Sequence, residues 1–249
     1  MDGLHSHLAT GHFTPRDTRR AISIAQSAPD NAPEYVLERE GYTVRRAGSP
    51  GQRSKAGMLV NHMYSRRGYD TETAASILHH PNRITLEASS GERLFGTLTL
   101  GIDSEEGLLA DALYEPEMTV FRAKGRKLCE LSKLAVDPQF GSKAVLASLF
   151  HLAYIYARIL HKATDAFIEV NPRHSGFYER RLGFRQIGQM RTCPRVNAPA
   201  VLLHLELTYM DAQIAKHAGS YGTKERSLYP YFFSSCVAED LVSRIAQAA

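Results

Sequence analysis

The sequence predicts an α/β protein in which helices flank a mixed central sheet. Three observations predict it. From residue 42 onward, short β-prone runs alternate with helical stretches. Between about Ser142 and His161, Val145, Leu149, Leu152, Tyr156 and Ile159 recur at spacings of three and four. No Pro/Gly/Ser-rich linker divides the chain after residue 38, so one domain is expected over 39–210.

In chain order, residues 1–38 are polar and carry Pro15, Pro29 and Pro33. They read as a poorly ordered extension with a short helix near Arg19–Gln26. Tyr42–Arg46 is β-prone. A helix from Gly51 to about Ser65 follows, with an apolar stripe of Met58, Leu59, His62 and Met63. Arg83–Ala88 and Leu94–Leu100 form a hairpin about a turn at Ser89–Glu92. Leu128–Val136 is a short apolar strand that Asp137-Pro138 ends, and the long helix at Ser142–His161 comes next. Ala166–Val170 is a buried strand, and Pro172–Leu182 is a helix with Gly183 as its left-handed cap. A short strand is expected near Arg185–Ile187 and a longer one at Ala198–Leu207. Residues 211–249 read as a C-terminal helical extension, with Val237, Leu241 and Ile245 one turn apart.

Composition narrows the function. Hydrophobic residues are 43% and charged residues 22% of 249, the balance of an ordinary globular protein. Cys129, Cys193 and Cys236 are too few for a disulfide framework and form no CxxC pair, which points to a reducing cytoplasm. Cys129 reads as a small buried apolar group. The eleven histidines, including His79, His80, His151 and His161, form no HExxH or His/Cys cluster, so no metal is expected. GxSxG is absent, which argues against a serine hydrolase. No apolar run approaches the ~18 residues of a membrane span, and the N-terminus lacks a signal-peptide core. A net charge of +4 permits an acidic partner without calling for nucleic acid. The aromatic run Tyr229–Val237 offers a surface either to lipid or to the core, and the core is the expected reading.

Three stretches can carry chemistry. In Leu134–Ala144 a strand passes into a long helix through Gly141. The helix N-terminus with Ser142 and Lys143 suits a phosphate, although Ser142 also reads as a plain N-cap. In Asn171–Phe184, Asn171 reads as an N-cap before Pro172. Tyr178 reads either as a ring packed on the sheet or as a hydroxyl able to donate a proton. In Cys129–Val136, Glu130 is a carboxylate inside an apolar run, so it is either paired or functional. Strand alternation puts Glu130 and Lys133 on opposite faces unless a bulge intervenes, which favours separate roles and Glu130 as a base.

The run Tyr178-Glu179-Arg180-Arg181-Leu182-Gly183-Phe184 resembles the YEKLGF signature of the GCN5-related N-acetyltransferase fold. Val136–Ala144 resembles that fold's pyrophosphate loop, but with one glycine and altered spacing, which suits a donor with a single phosphate such as a phosphopantetheine arm. Cys129–Val136 resembles the E-x-S-R-F strand of acyl-homoserine-lactone synthases, with Lys133 for arginine and Leu134 for phenylalanine. Over about residues 40–240, the runs ELSKLAVDP, EVNPRHSGFYERRLGF and RTCPRVNAPAVLLHLELTYM together are similar to the long-chain N-acyl amino acid synthases, whose best-described member makes N-acyl tyrosine.

The resemblance implies an acyltransferase domain at 39–210. It would form an amide between a long acyl chain and the α-amine of an amino acid, tyrosine first. The donor would be the phosphopantetheine thioester of acyl carrier protein, or acyl-coenzyme A, with no tightly bound cofactor. Glu130 would be the base and Tyr178 the acid for the leaving thiolate. A backbone N–H at residues 134–136 would stabilise the oxyanion. Asn171, Leu134, Val136, Gly141, Ser142 and Lys143 would bind the donor. Arg195, Asn197 and Lys133 would bind the acceptor, the arginine suiting its carboxylate, although 195–197 also reads as a solvated loop. The acidic carrier would dock on Arg122, Lys124, Arg126 and Lys127, or on Arg180 and Arg181, unless these are ordinary solvated faces. A lactone synthase, a coenzyme A-dependent acetyltransferase and a non-catalytic acyl- or carrier-binding domain are the alternatives.

Overall fold

The chain is organised around a ten-stranded sheet. The computed structural model describes residues 22–26, 35–70 and 82–247. His79 and His80 lie outside the described residues. Strands β1 (Ile22–Gln26), β2 (Tyr35–Arg39), β3 (Tyr42–Arg46), β4 (Arg83–Ser90), β5 (Arg93–Ile102) and β6 (Leu128–Val136) run antiparallel in sequence order. β6 then pairs in parallel with β7 (Asp165–Val170). β10 (Ala198–Glu206) returns antiparallel on β7 and carries β8 (Arg185–Gln186) and β9 (Arg191–Cys193). One parallel pair makes the sheet mixed, as the order of elements predicts.

The expected short helix near Arg19–Gln26 is corrected, because Ile22–Gln26 is a strand. Its register with β2 places Ile24 opposite Leu37, so the partner strand decides its conformation. The sheet therefore begins within the first 38 residues, and β2 straddles the expected boundary at 39. The rest of that extension lies outside the described residues.

Local signals explain the helix ends. Helix α1 (Pro50–Ser65) starts with a reciprocal cap: Gln52 N–H donates to Ser49 Oγ at 3.2 Å, and Ser49 N–H donates to Gln52 Oε1 at 2.7 Å. Its buried face is Ala56, Val60 and Met63, whereas Met58, expected in the stripe, is 63% exposed. Helix α2 (Asp111–Ala123) has no counterpart in the sequence pattern. Pro116 lies inside it and Tyr114 leaves helical geometry, so two short helices meet at a kink. Helix α3 (Lys143–Tyr154) begins with Val145 N–H donating to Ser142 Oγ at 3.1 Å and continues as a π turn through Ile155–Leu160. The expectation that no apolar run approaches a membrane span is corrected: residues 143–160 are long and apolar enough to cross a bilayer by length and composition, although more than half of that stretch is buried in the core.

Helix α4 (Pro172–Leu182) is capped by Asn171, whose Oδ1 accepts from Arg173 N–H at 3.2 Å, and ends at Gly183 with φ +87°. A Cβ there would strike the ring of Tyr209. Gly183→Ala should therefore destabilise the protein by at least about 1–2 kcal/mol, read as a lower urea midpoint.

Helices α5 (Leu207–His217) and α6 (Ser235–Gln247) form the C-terminal layer, separated by an irregular stretch with one 3-10 turn at Tyr229–Tyr231. Tyr229, Phe232 and Phe233 are buried, as are Leu241 and Ile245, so the aromatic run caps the core. Phe232 and Phe233 stack on His151, whose Nδ1 accepts from Phe233 N–H at 2.9 Å.

Candidate active site

Strands β6 and β7 pair only from Leu128 opposite Asp165 to Glu130 opposite Phe167, and then diverge. Past Glu130, the edge of β6 that faces β7 has no strand partner among the described residues, so its in-plane amides face the gap. A cavity of about 350 Å³ opens there, lined by Glu130 to Val136 of β6 (Leu131 excepted) and by Ile168 to Asn171. A bulge shapes the β6 side. Thr99 is opposite Ser132 but Thr97 is opposite Ala135, and Lys133 takes φ +54°. This overturns the alternation argument. The bulge is present, and it brings Lys133 and Glu130 to the same cavity.

Glu130 is 2% exposed, and its Oε2 accepts from Leu109 N–H at 2.7 Å. Burial pushes its carboxyl up to about 7; Glu169 also raises it, while Arg195, the Leu109 amide and Arg83 pull it down. A carboxylate with this value can take a proton at neutral pH and return it. Lys133 is held down to about 8, chiefly by burial and then by Arg83 and Arg195.

Tyr178 faces the same cavity from α4. Its ring meets Phe150, Phe177 and Phe184 edge-on, so the packing role is real. Burial raises its phenol well above the usual tyrosine value, with a smaller push from Tyr64, so it stays protonated and able to donate. Asn171 both caps α4 and lines the cavity. Leu134, Val136, Leu146 and Phe177 give the wall an apolar character suited to a hydrocarbon chain.

Arg195 reaches the cavity but is already engaged. Its Nη2 donates to Glu169 Oε2 at 2.7 Å and its Nη1 to Leu109 O at 2.8 Å. Asn197 is not brought to the cavity. It is exposed in the β9–β10 turn at φ +46°, a left-handed position that asparagine tolerates. Gly141, Ser142 and Lys143 are exposed at the start of α3 and lie outside the cavity lining, one turn before Leu146, which is part of it.

The two basic clusters differ. Arg122 forks onto Asp103 and Asp111 (2.6–2.8 Å), and Arg126 grips buried Asp165 (2.5 and 2.9 Å), so that cluster is largely neutralised by its own carboxylates. Lys124 and Lys127 are exposed. On α4, Arg180 is exposed and Arg181 donates to Arg226 O.

Sequence reasoning missed Glu169, Arg83 and the aromatic end of α1, where Tyr64, Arg67 and Tyr69 line the cavity. Glu169 carried a usable signal, the same as Glu130: a carboxylate in an apolar strand.

The family model described as N-acyl amino acid synthase FeeM matches residues 55–206. Among solved structures, FeeM, an N-acyl amino acid synthase from uncultured soil microbes, is similar at 31% identity over 70% of this chain and 97% of that chain, with a TM-score of 0.65. A Lactobacillus plantarum protein described as an N-acetyltransferase is similar at 14% identity over 68% of this chain and 99% of that chain, with a TM-score of 0.51, a likeness of fold alone. No curated protein sequence matches the chain.

Proposed function

The chain belongs to the N-acyl amino acid synthase family and is an N-acyltransferase of the GCN5-related fold, and on that premise we propose that it joins a long fatty acyl group, delivered as the thioester of acyl carrier protein, to the α-amine of an amino acid, tyrosine first. One observation carries this reading: a buried carboxyl with a value of about 7 and a buried phenol line one cavity between two splayed strands.

The acceptor amine is mostly protonated at neutral pH and must lose a proton before it can attack. Glu130 takes that proton, directly or through one water. The nitrogen adds to the thioester carbon, and the carbonyl oxygen becomes an oxyanion held by a backbone N–H at residues 134–136 on the open edge of β6. The intermediate loses the nitrogen's second proton to water, collapses to the amide and expels the thiolate, which takes a proton from Tyr178, while Glu130 releases its proton to solvent. The phenolate regains its proton from solvent. No acyl-enzyme forms, and Cys129, buried with its thiol pushed far up, is not a nucleophile.

The pantetheine arm lies along Leu134, Val136 and Asn171, with its single phosphate at Gly141, Ser142 and Lys143, where α3 presents its free N–H groups. The saturation of Arg122 and Arg126 favours the α4 side, with Arg180 and Arg181, for an acidic carrier. The reaction is assigned to the cytoplasm, in keeping with three free thiols.

The test is to incubate the protein with a long-chain acyl carrier protein thioester, or with the matching acyl-coenzyme A, and single amino acids, then to weigh the products. Amide formation, greatest with tyrosine and the carrier thioester, is expected. Absence of amide with every amino acid and both donors would overturn the reading. A lactone formed from S-adenosylmethionine would assign homoserine-lactone chemistry instead.

A further inference from the structure

A second pocket of about 10 Å³, large enough for one water or one carboxylate oxygen, adjoins the main cavity. The two share Leu109, Glu130 and Ser132. Arg83, the first residue of β4, forms part of its wall. Arg83 Nη1 is buried and has no hydrogen-bond partner among the described residues. A buried guanidinium N–H left without an acceptor is costly, and an anion satisfies it better than water does.

Charge around this pocket points the same way. Arg83 and Arg195 act on the Glu130 carboxylate, which Glu169 also neighbours, and exposed Glu106 acts on Arg83. Arg195 is committed to Glu169. Glu130 is only partly ionised near neutrality. Among the described residues, one Arg83 N–H therefore lacks an acceptor beside Glu130, and Lys133 is held down chiefly by burial and then by both arginines. In the proposed reaction the acceptor amine lies against Glu130, and an α-carboxylate is attached to the same carbon as that amine.

We infer that Arg83 binds the α-carboxylate of the acceptor, so that the enzyme selects α-amino acids over simple amines. The geometry is two-pronged: Glu130 receives the amine, and Arg83 receives the carboxylate at the mouth of the small pocket. This rests on the proposed acyl transfer to an amino acid.

The test compares wild type, Arg83→Met and Arg83→Lys in the amide-forming assay. Arg83→Met should raise KM for tyrosine at least tenfold, or about 1.4 kcal/mol. Inhibition by 3-(4-hydroxyphenyl)propionate, which has the carboxylate and no amine, should weaken by a similar factor. Inhibition by 4-ethylphenol, which has neither, should be unchanged, and this also shows that the variant is folded. Arg83→Lys, which keeps the charge and loses the fork, should lose less. Equal weakening of both inhibitors, or no change in KM or in either inhibitor, overturns the assignment of Arg83 while wild-type amide formation leaves the acyl-transfer reading intact. Failure of wild type to form any amide overturns both.

Discussion

Glu130→Gln should lower kcat/KM by roughly 10²–10⁴, because the amine then has no positioned group to take its proton. The wild-type rate should rise with pH through about 7 as the Glu130 carboxyl ionises, and the variant should lack that limb. Near-wild-type rates with the limb retained would move the base role to another group. The same substitution has the opposite effect on stability. The folded carboxyl titrates at about 7 against an ordinary 4.5, so the folded state holds its proton more tightly than the unfolded chain. Stability is then full below about 4.5 and falls as pH rises through 7, by about 3 kcal/mol once both states are ionised. Glutamine carries no charge to bury. Glu130→Gln should therefore be more stable than wild type at pH 8 and nearly equal to it at pH 4, as read by urea unfolding. A variant that loses both activity and stability at pH 8 would contradict the account of this carboxyl.

Arg195→Met should produce the largest loss of stability, about 3–5 kcal/mol, because it leaves Glu169 buried with its charge uncompensated. Arg195 also closes the wall by donating to Leu109 O, next to the Leu109 amide that holds Glu130. Among the influences on Glu130, Arg195 comes directly after burial and favours the ionised form. Its loss therefore raises the Glu130 value, and the rising limb of the rate profile should move to higher pH. Adding Glu169→Gln removes the stranded charge, so the double variant should recover most of the stability and bring the limb back down. If the single variant unfolds at the wild-type urea midpoint, the pair is not the structural tie described.

The legible parts of this protein share a short reach. Ser142 and Asn171 announce helix starts, and Gly183 a helix end, because a cap depends on residues three or four apart. The long helix shows in its spacing for the same reason. Glu130 stands out because a carboxylate within an apolar strand needs an explanation. The hidden parts depend on contacts that local spacing does not encode. Ile22–Gln26 is a strand because β2 pairs with it, and α2 conceals itself behind Pro116. Lys133 joins Glu130 only because β6 carries one residue more than β5 at that point.

Residue chemistry and helix periodicity thus sufficed for the α/β architecture and the element caps, while the shared site of the Glu130 carboxylate and the Tyr178 phenol was implied by family resemblance. Packing alone settled which charges surround them. Arg83, Glu130, Glu169 and Arg195 come from four strands or turns far apart in the chain, and they meet only when the sheet forms. Their proton affinities follow from that burial and mutual distance, quantities that do not exist in an unfolded chain.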